Sequence, residues 1–278
     1  MAILEYGFLL KSILAAIFSS ITAGIAGSYI VSRRLVFLSG GITHASFGGI
    51  GLGYFLGMNP VIGAAIFGMA SAVGIEFLSG RQQVKEDSAI GFLWAFGMAL
   101  GIIFIYLTPG YTPNLMSYLF GSILTIDWWD LIALIALTVV IITFFSVYFR
   151  TILYISFDER FARTFTPNVN LFKYVLIVII SLVIVLNIRI AGVVLVLSLL
   201  TIPPNIALIF TTDFKKIILV SILTGLAGML LGLVTSWYLD IPTGATVIFT
   251  LVTMWLIARI YRWVAVVRIG VRGKNETM

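Results

Sequence analysis

His44 is the only histidine among 278 residues, and it stands in GGITHASFGG, a stretch of small side chains. A neutral imidazole is a good ligand for divalent transition metals. A lone histidine in such a segment is, equally, often a packed or hydrogen-bonded group. Two further groupings carry charge outside the apolar runs: SFDERFARTF over 156–165, and Asp127, Asp130 and Arg189 at the borders of hydrophobic stretches. There is no cysteine, so disulfides, thiolate ligands and thiol nucleophiles are excluded. No glycine-rich loop ends in Lys-Ser or Lys-Thr, so the chain carries no nucleotide P-loop of its own. Asp127 and Asp130 are too isolated for the clustered acidic site of a membrane-embedded lipid enzyme, and helix-end solvation accounts for them.

The elements that position these residues must be membrane helices. Apolar residues make up 61% of the chain and charged ones 10%, with a mean hydropathy of +1.15. Soluble chains carry about 25% charged residues. The expected fold class is all-α, a polytopic transmembrane bundle of about eight or nine spans within one domain covering 1–278. Apolar runs between charges and turn residues place the spans near 8–32, 44–58, 60–80, 89–108, 127–149, 172–188, 191–211, 214–238 and 243–262. The span at 44–58 is short and glycine-rich, which suggests an oblique or partial crossing. Pro203-Pro204 removes backbone donors and predicts a kinked or broken seventh span, buried among its neighbours. The opening MAILEYGFLLKSILAAIF lacks a basic leader and a cleavage site and reads as the first span, not a signal peptide.

Orientation follows from where the cations fall. With nine spans, fifteen of the seventeen Lys and Arg residues lie on one side, and only Lys11 and Arg189 on the other. That asymmetry predicts a cytoplasmic C-terminus, with a basic tail over 263–278, and an external N-terminus in a plasma-membrane protein. The positive balance is therefore topological and implies no nucleic-acid partner. Within the spans ionisable residues are nearly absent; Glu76 sits close enough to a span end to reach the interface. Neither a proton-relay carboxylate chain nor an arginine series is present, which disfavours a proton-driven transporter. Glycines four apart (Gly49, Gly53 and Gly57; Gly97 and Gly101; Gly228 and Gly232) allow close helix approach, within one bundle or at a dimer seam.

The segment 156–166 reads as a short cytoplasmic helix capped by Ser156, with Asp158 and Glu159 in its first turn and Pro167 beyond its end. Phe157, Phe161 and Phe165 share one face opposite Arg160 and Arg163. Such a helix is either an amphipathic anchor at the lipid interface or a docking element for a cytoplasmic partner.

At this loop the sequence resembles the permease subunits of metal-ion ABC importers, the zinc, manganese and iron(II) group within the cobalamin-type (type II) class. RRLVFLSGGITHASFGGIGLGY is similar to that family's early basic-then-glycine/histidine segment. EDSAIGFLWAFGMALG, YLFGSIL, FDERFARTF, GVVLVLSLLTIPPNIALIFT and YLDIPTGATVIF follow in the family's order, over about 8–262. The resemblance implies a homodimeric permease that catalyses no covalent chemistry and binds no cofactor. It further implies two cytoplasmic ATPase subunits that carry ATP and magnesium, an extracytoplasmic metal-binding protein, and a divalent metal as cargo. It assigns ATPase coupling to Asp158, Glu159, Arg160, Phe161, Ala162, Arg163 and Phe165, and a transient metal contact in the path to His44. Arg189, on the outer side, is a candidate contact for the binding protein beside its simpler role of reaching the interface from a helix end. Two departures stand out: Thr166-Pro167 replaces a glycine-containing turn, and Gly40 stands where the family often has an aspartate. A lipid-metabolism enzyme and a secondary transporter are the alternative readings.

Overall fold

The computed structural model describes residues 7–80, 85–109, 126–165 and 168–275. Among these the chain is helical: α1 (Gly7–Ser32), α2 (Val36–Phe55), α3 (Pro60–Gly80), α4 (Glu86–Leu107) and α5 (Trp128–Val147) come first. Then follow α6 (Phe149–Phe157), α7 (Glu159–Phe165), α8 (Val169–Ala191), α9 (Val193–Phe210), α10 (Phe214–Leu239) and α11 (Thr243–Asn275). The YLFGSIL segment, Arg81 and Thr166-Pro167 lie outside the described residues. Eight helices (α1, α3, α4, α5 and α8 to α11) are long and apolar enough to cross a membrane.

The ninth long helix, α2, is 20 residues, roughly 30 Å at 1.5 Å per residue. Glycine, hydroxyl residues and His44 make it less apolar than its neighbours, and burial accounts for that: fourteen of its twenty residues are buried. It packs chiefly on α3 and α4. Gly41 lies against Ile90 at the start of α4, Gly48 against Gly97, and Gly51 against Gly101. The helix therefore runs parallel to α4 through the same depth. The expected 44–58 span is corrected accordingly: it begins at Val36 and ends at Phe55.

Glycine explains how α2 fits. The backbones of Gly49 and Gly63 meet, and Gly97 approaches Ala45 so closely that an added Cβ would sit 2.5 Å from the Ala45 Cα. Gly228 and Gly232 of α10 receive Leu251 and Val247 of α11 in the same way. These rows are thus used inside the bundle, where small residues let helices pack without hydrophobic drive from lipid. Gly57 is the exception; its φ of +66° belongs to the turn after α2.

Pro203 and Pro204 lie within α9 and do not break it, because α9 continues to Phe210 and both prolines are buried. Each leaves a carbonyl one turn earlier without its helical donor. The Leu200 carbonyl is covered by Gly27 of α1, whose missing side chain is what permits the approach. Gly192 alone links α8 to α9 at φ 82° and ψ 160°, a conformation restricted almost wholly to glycine.

Contacts divide the polar residues between two ends of the bundle. At one end Lys11 Nζ lies 5.3 Å from the Trp128 ring, and Arg189 pairs with Asp130 at 3.4 Å. At the other, Lys173 pairs with Glu76 at 2.7 Å, and Lys215 Nζ lies 5.1 Å from the Phe149 ring.

The Gly49 contact is testable against a glycine of the same type that touches nothing. A leucine at Gly49 would collide with backbone and is expected to cost roughly 3 kcal/mol or more, so membrane accumulation should collapse. Gly91→Leu, facing open space, should accumulate as wild type. Equal thermal stability of the two variants by fluorescence-detected size exclusion would contradict the packing.

Candidate functional site

His44 lies midway along α2, with its imidazole stacked on Trp94 of α4 at 4.1 Å between centroids and 8° between planes. Its Nδ1 is buried without a hydrogen-bond partner among the described residues. Buried polar nitrogens are seldom left so. The neighbouring hydroxyls do not turn toward it: Thr43 Oγ1 donates to Ser39 O at 2.6 Å, and Ser46 Oγ to Ile42 O at 2.7 Å. One turn earlier, Gly40 faces the same indole; a Cβ there would lie 3.4 Å from Trp94 Cζ3. Trp94 thus covers both positions, Gly40 and His44, from one side. Among the described residues no group of three or more His, Cys, Asp or Glu side chains converges.

The short helix differs from its expected form at its start. Ser156 lies inside α6 and donates to Ile152 O at 2.6 Å. Asp158 is the cap instead, extended at φ −148° and ψ 98°, its carboxylate accepting from the Phe161 N–H at 3.0 Å. Aspartate at a helix start satisfies a free donor and favours the dipole. That break at Asp158 removes Phe157 from the aromatic face; it meets Phe214 edge-on at 6.4 Å. Phe161 and Phe165 remain together, 4.9 Å apart, with Tyr154 edge-on to Phe161 at 5.2 Å.

Ala162 is fully buried with Ile155 and Val169, so it anchors α7 to α6 and α8 and does not belong to the exposed face. Arg163 donates to Asn170 Oδ1 at 2.8 Å, a second tie to α8. Exposed on the outer surface are Arg160, Phe161, Arg163 and Phe165. The α7 helix is therefore a solvent-facing knob held from behind.

At the opposite end Asp127 and Asp130 form a capping box on α5, and Asp130 also holds Arg189. The arginine is thereby tied to α5 and does not simply extend from its helix end.

Three participants escaped the sequence reading. Trp94 carried a weak signal, shared with Trp255: Trp128, Trp129 and Trp237 stand near helix ends as interfacial tryptophans do, whereas Trp94 is mid-helix. Arg33, after α1, donates to Ile155 O of α6 at 2.8 Å, a contact across 122 residues that no local pattern announces. In the sequence Asp130 reads only as a solvated helix-end residue.

A multi-pass helical bundle with an exposed, anchored helix at one end suits the membrane subunit of a transporter. The chain belongs to the ABC 3 transport family, whose model matches residues 5–262. It is 36% identical to an uncharacterised membrane protein of Synechocystis sp., over 93% of this chain and 92% of that one. It is 30% identical, with the same coverage, to the manganese transport system membrane protein MntC of Listeria innocua. The solved structure of PsaBC from Streptococcus pneumoniae in complex with Fab matches with a TM-score of 0.82 and 30% identity, covering 92% of each chain. The resemblance to metal-ion importer permeases read from the sequence therefore holds, and the chain is a transport subunit, not an enzyme.

Proposed function

We propose that this permease conducts a divalent transition metal ion, zinc, manganese or iron(II), into the cell as one half of a homodimer. ATP and magnesium act on two cytoplasmic ATPase subunits, and a metal-binding protein delivers the ion outside, with Arg189 beside its docking rim. The observation that carries this reading is α7: a capped helix, tethered through buried Ala162 and Arg163, that presents Phe161, Phe165 and Arg160 outward. Relatives named for manganese transport favour manganese among the three ions. Movement of α7 on ATP binding passes to α6, and through the Arg33–Ile155 hydrogen bond to the α1–α2 junction ahead of His44. Glu159 contributes charge to the first turn of α7. The metal passes His44 as a brief contact, since a conduction site must release what it binds.

The orientation reading places α7 in the cytoplasm. The chain has no cysteine, so a single cysteine at position 163 can be labelled without background. It should stay unlabelled by an impermeant reagent added to intact cells and react after lysis; labelling from outside would reverse the orientation.

Docking of α7 predicts the consequence of a charge on its aromatic face. Phe161→Asp would bury an unpaired carboxylate in the contact, at a cost of about 3 kcal/mol or more. The ATPase should no longer co-purify, or should hydrolyse ATP without transport, while the permease still inserts. Normal transport by this variant would leave α7 as a lipid anchor only.

The third expectation concerns His44. His44→Ala should lower metal uptake roughly tenfold or more, the scale at which groups around a metal act, with assembly and basal ATPase activity retained. Gly40→Asp, which sets a carboxylate one turn away, should tighten metal binding and slow release. Unchanged uptake by His44→Ala would make the histidine structural and leave the path without a side-chain ligand at that depth.

A further inference from the structure

At the end of the bundle that carries α7, a cavity of about 730 Å³ opens between α1, α5, α6 and α10. Its walls are Ile25, Ile142, Phe145 and Ile218, with Arg150 and Lys215 among the lining residues and no carboxylate. Ile25 lies seven residues inside the end of α1, about 10 Å at 1.5 Å per residue, so the apolar part reaches well below the charged end. Lys215 is held over the Phe149 ring. The nearby Asp213 carboxylate is directed to the Lys215 backbone N–H at 2.9 Å, capping α10, and does not line the cavity.

We infer that this crevice binds one anionic phospholipid. Its phosphate would lie between Arg150 and Lys215, and an acyl chain along Ile25, Ile142, Phe145 and Ile218. A soluble anion would satisfy the two cations but leave the apolar walls unfilled; a zwitterionic lipid would fill the walls but bring a cation of its own toward Arg150 and Lys215. The charge pattern and the depth of the walls together select a lipid with net negative charge. Basic pockets between membrane helices recognise headgroups on the same principle. A lipid there would brace α6, the segment from which α7 hangs, against α1 and α10.

The test uses the full-length chain purified in detergent. Native mass spectrometry would measure retention of phosphatidylglycerol against phosphatidylcholine of the same chains, with inorganic phosphate as a competitor. Phosphatidylglycerol should be retained preferentially and resist millimolar phosphate. Arg150→Gln with Lys215→Gln, both exposed positions, should reduce its retention on the order of thirtyfold, from about 1 kcal/mol per cation. Ile142→Trp, which fills the crevice and leaves both cations in place, should reduce it as well. Equal retention of the two lipids, displacement by phosphate, or unchanged retention in the two variants would each overturn the assignment. Thermal unfolding of each variant verifies that it is folded.

Discussion

Backbone contact along the glycine face of α2 is the constraint on which the rest of this structure depends. Between membrane helices the surrounding lipid is as apolar as the side chains, so association rests on fit and not on exclusion of water. Here the fit is made by absence: Gly49 meets Gly63, Gly48 meets Gly97, and Gly51 meets Gly101. These contacts seat a helix that would be poorly suited to lipid, because its hydroxyls and its histidine face protein on most sides. They also fix the rotation of α2 about its axis. With the glycines turned to α3 and α4, His44 has one place to go, flat against Trp94.

The same economy governs the charged ends. Lys173 with Glu76 ties α8 to α3, and Arg189 with Asp130 ties α8 to α5 at the opposite end. Helix α8, among the most buried of the bundle, is thereby pinned at both ends, with Asn187 near its Arg189 end also donating to Thr22 of α1 at 3.2 Å, while packing holds its middle. Helix α7 is tied to that column by Arg163 to Asn170 and by the Ala162 contact, while α6 is held by Ile152 in the main core, by Phe149 and Phe157 against Phe214, and by the Arg33 hydrogen bond to Ile155.

Much of this was legible in the sequence, and the reasons differ by element. The long spans were readable because hydropathy depends on composition alone, and the asymmetry of Lys and Arg needs no coordinates. The start of α2 was misplaced because burial inside the bundle removes the need for an apolar surface, and the hydropathy of VFLSGGITHAS is then a poor guide. Pro203-Pro204 suggested a break, yet the helix runs through both prolines to Phe210, with Gly27 of α1, 173 residues before Leu200, seated against the Leu200 carbonyl. Ser156 was a plausible cap until Asp158, two residues on, took that place; both side chains can cap, and local pattern does not rank them. The Arg33–Ile155 and His44–Trp94 contacts are long-range and had no local sign beyond the mid-helix position of Trp94.

The Trp94 indole bears on how the proposed path would work. A carboxylate one turn from His44 would add a full charge to the contact and strengthen it toward a divalent ion. In this chain that position is Gly40, and Trp94 stands against it. The imidazole is left with a single aromatic partner and an unpaired buried Nδ1. A neutral ligand of this kind holds a metal less tightly than an Asp-His pair and gives it up sooner, so any further ligands must come from carbonyls, water or the second copy of His44. Stacking also holds the imidazole parallel to the indole, because tilting would separate the rings. A metal contact at this depth is then governed by the separation of α2 from α4, which the glycine contacts hold small. Loosening α2 through its junction with α1 would release the ring and the ion together, and that junction is where Arg33 reaches α6.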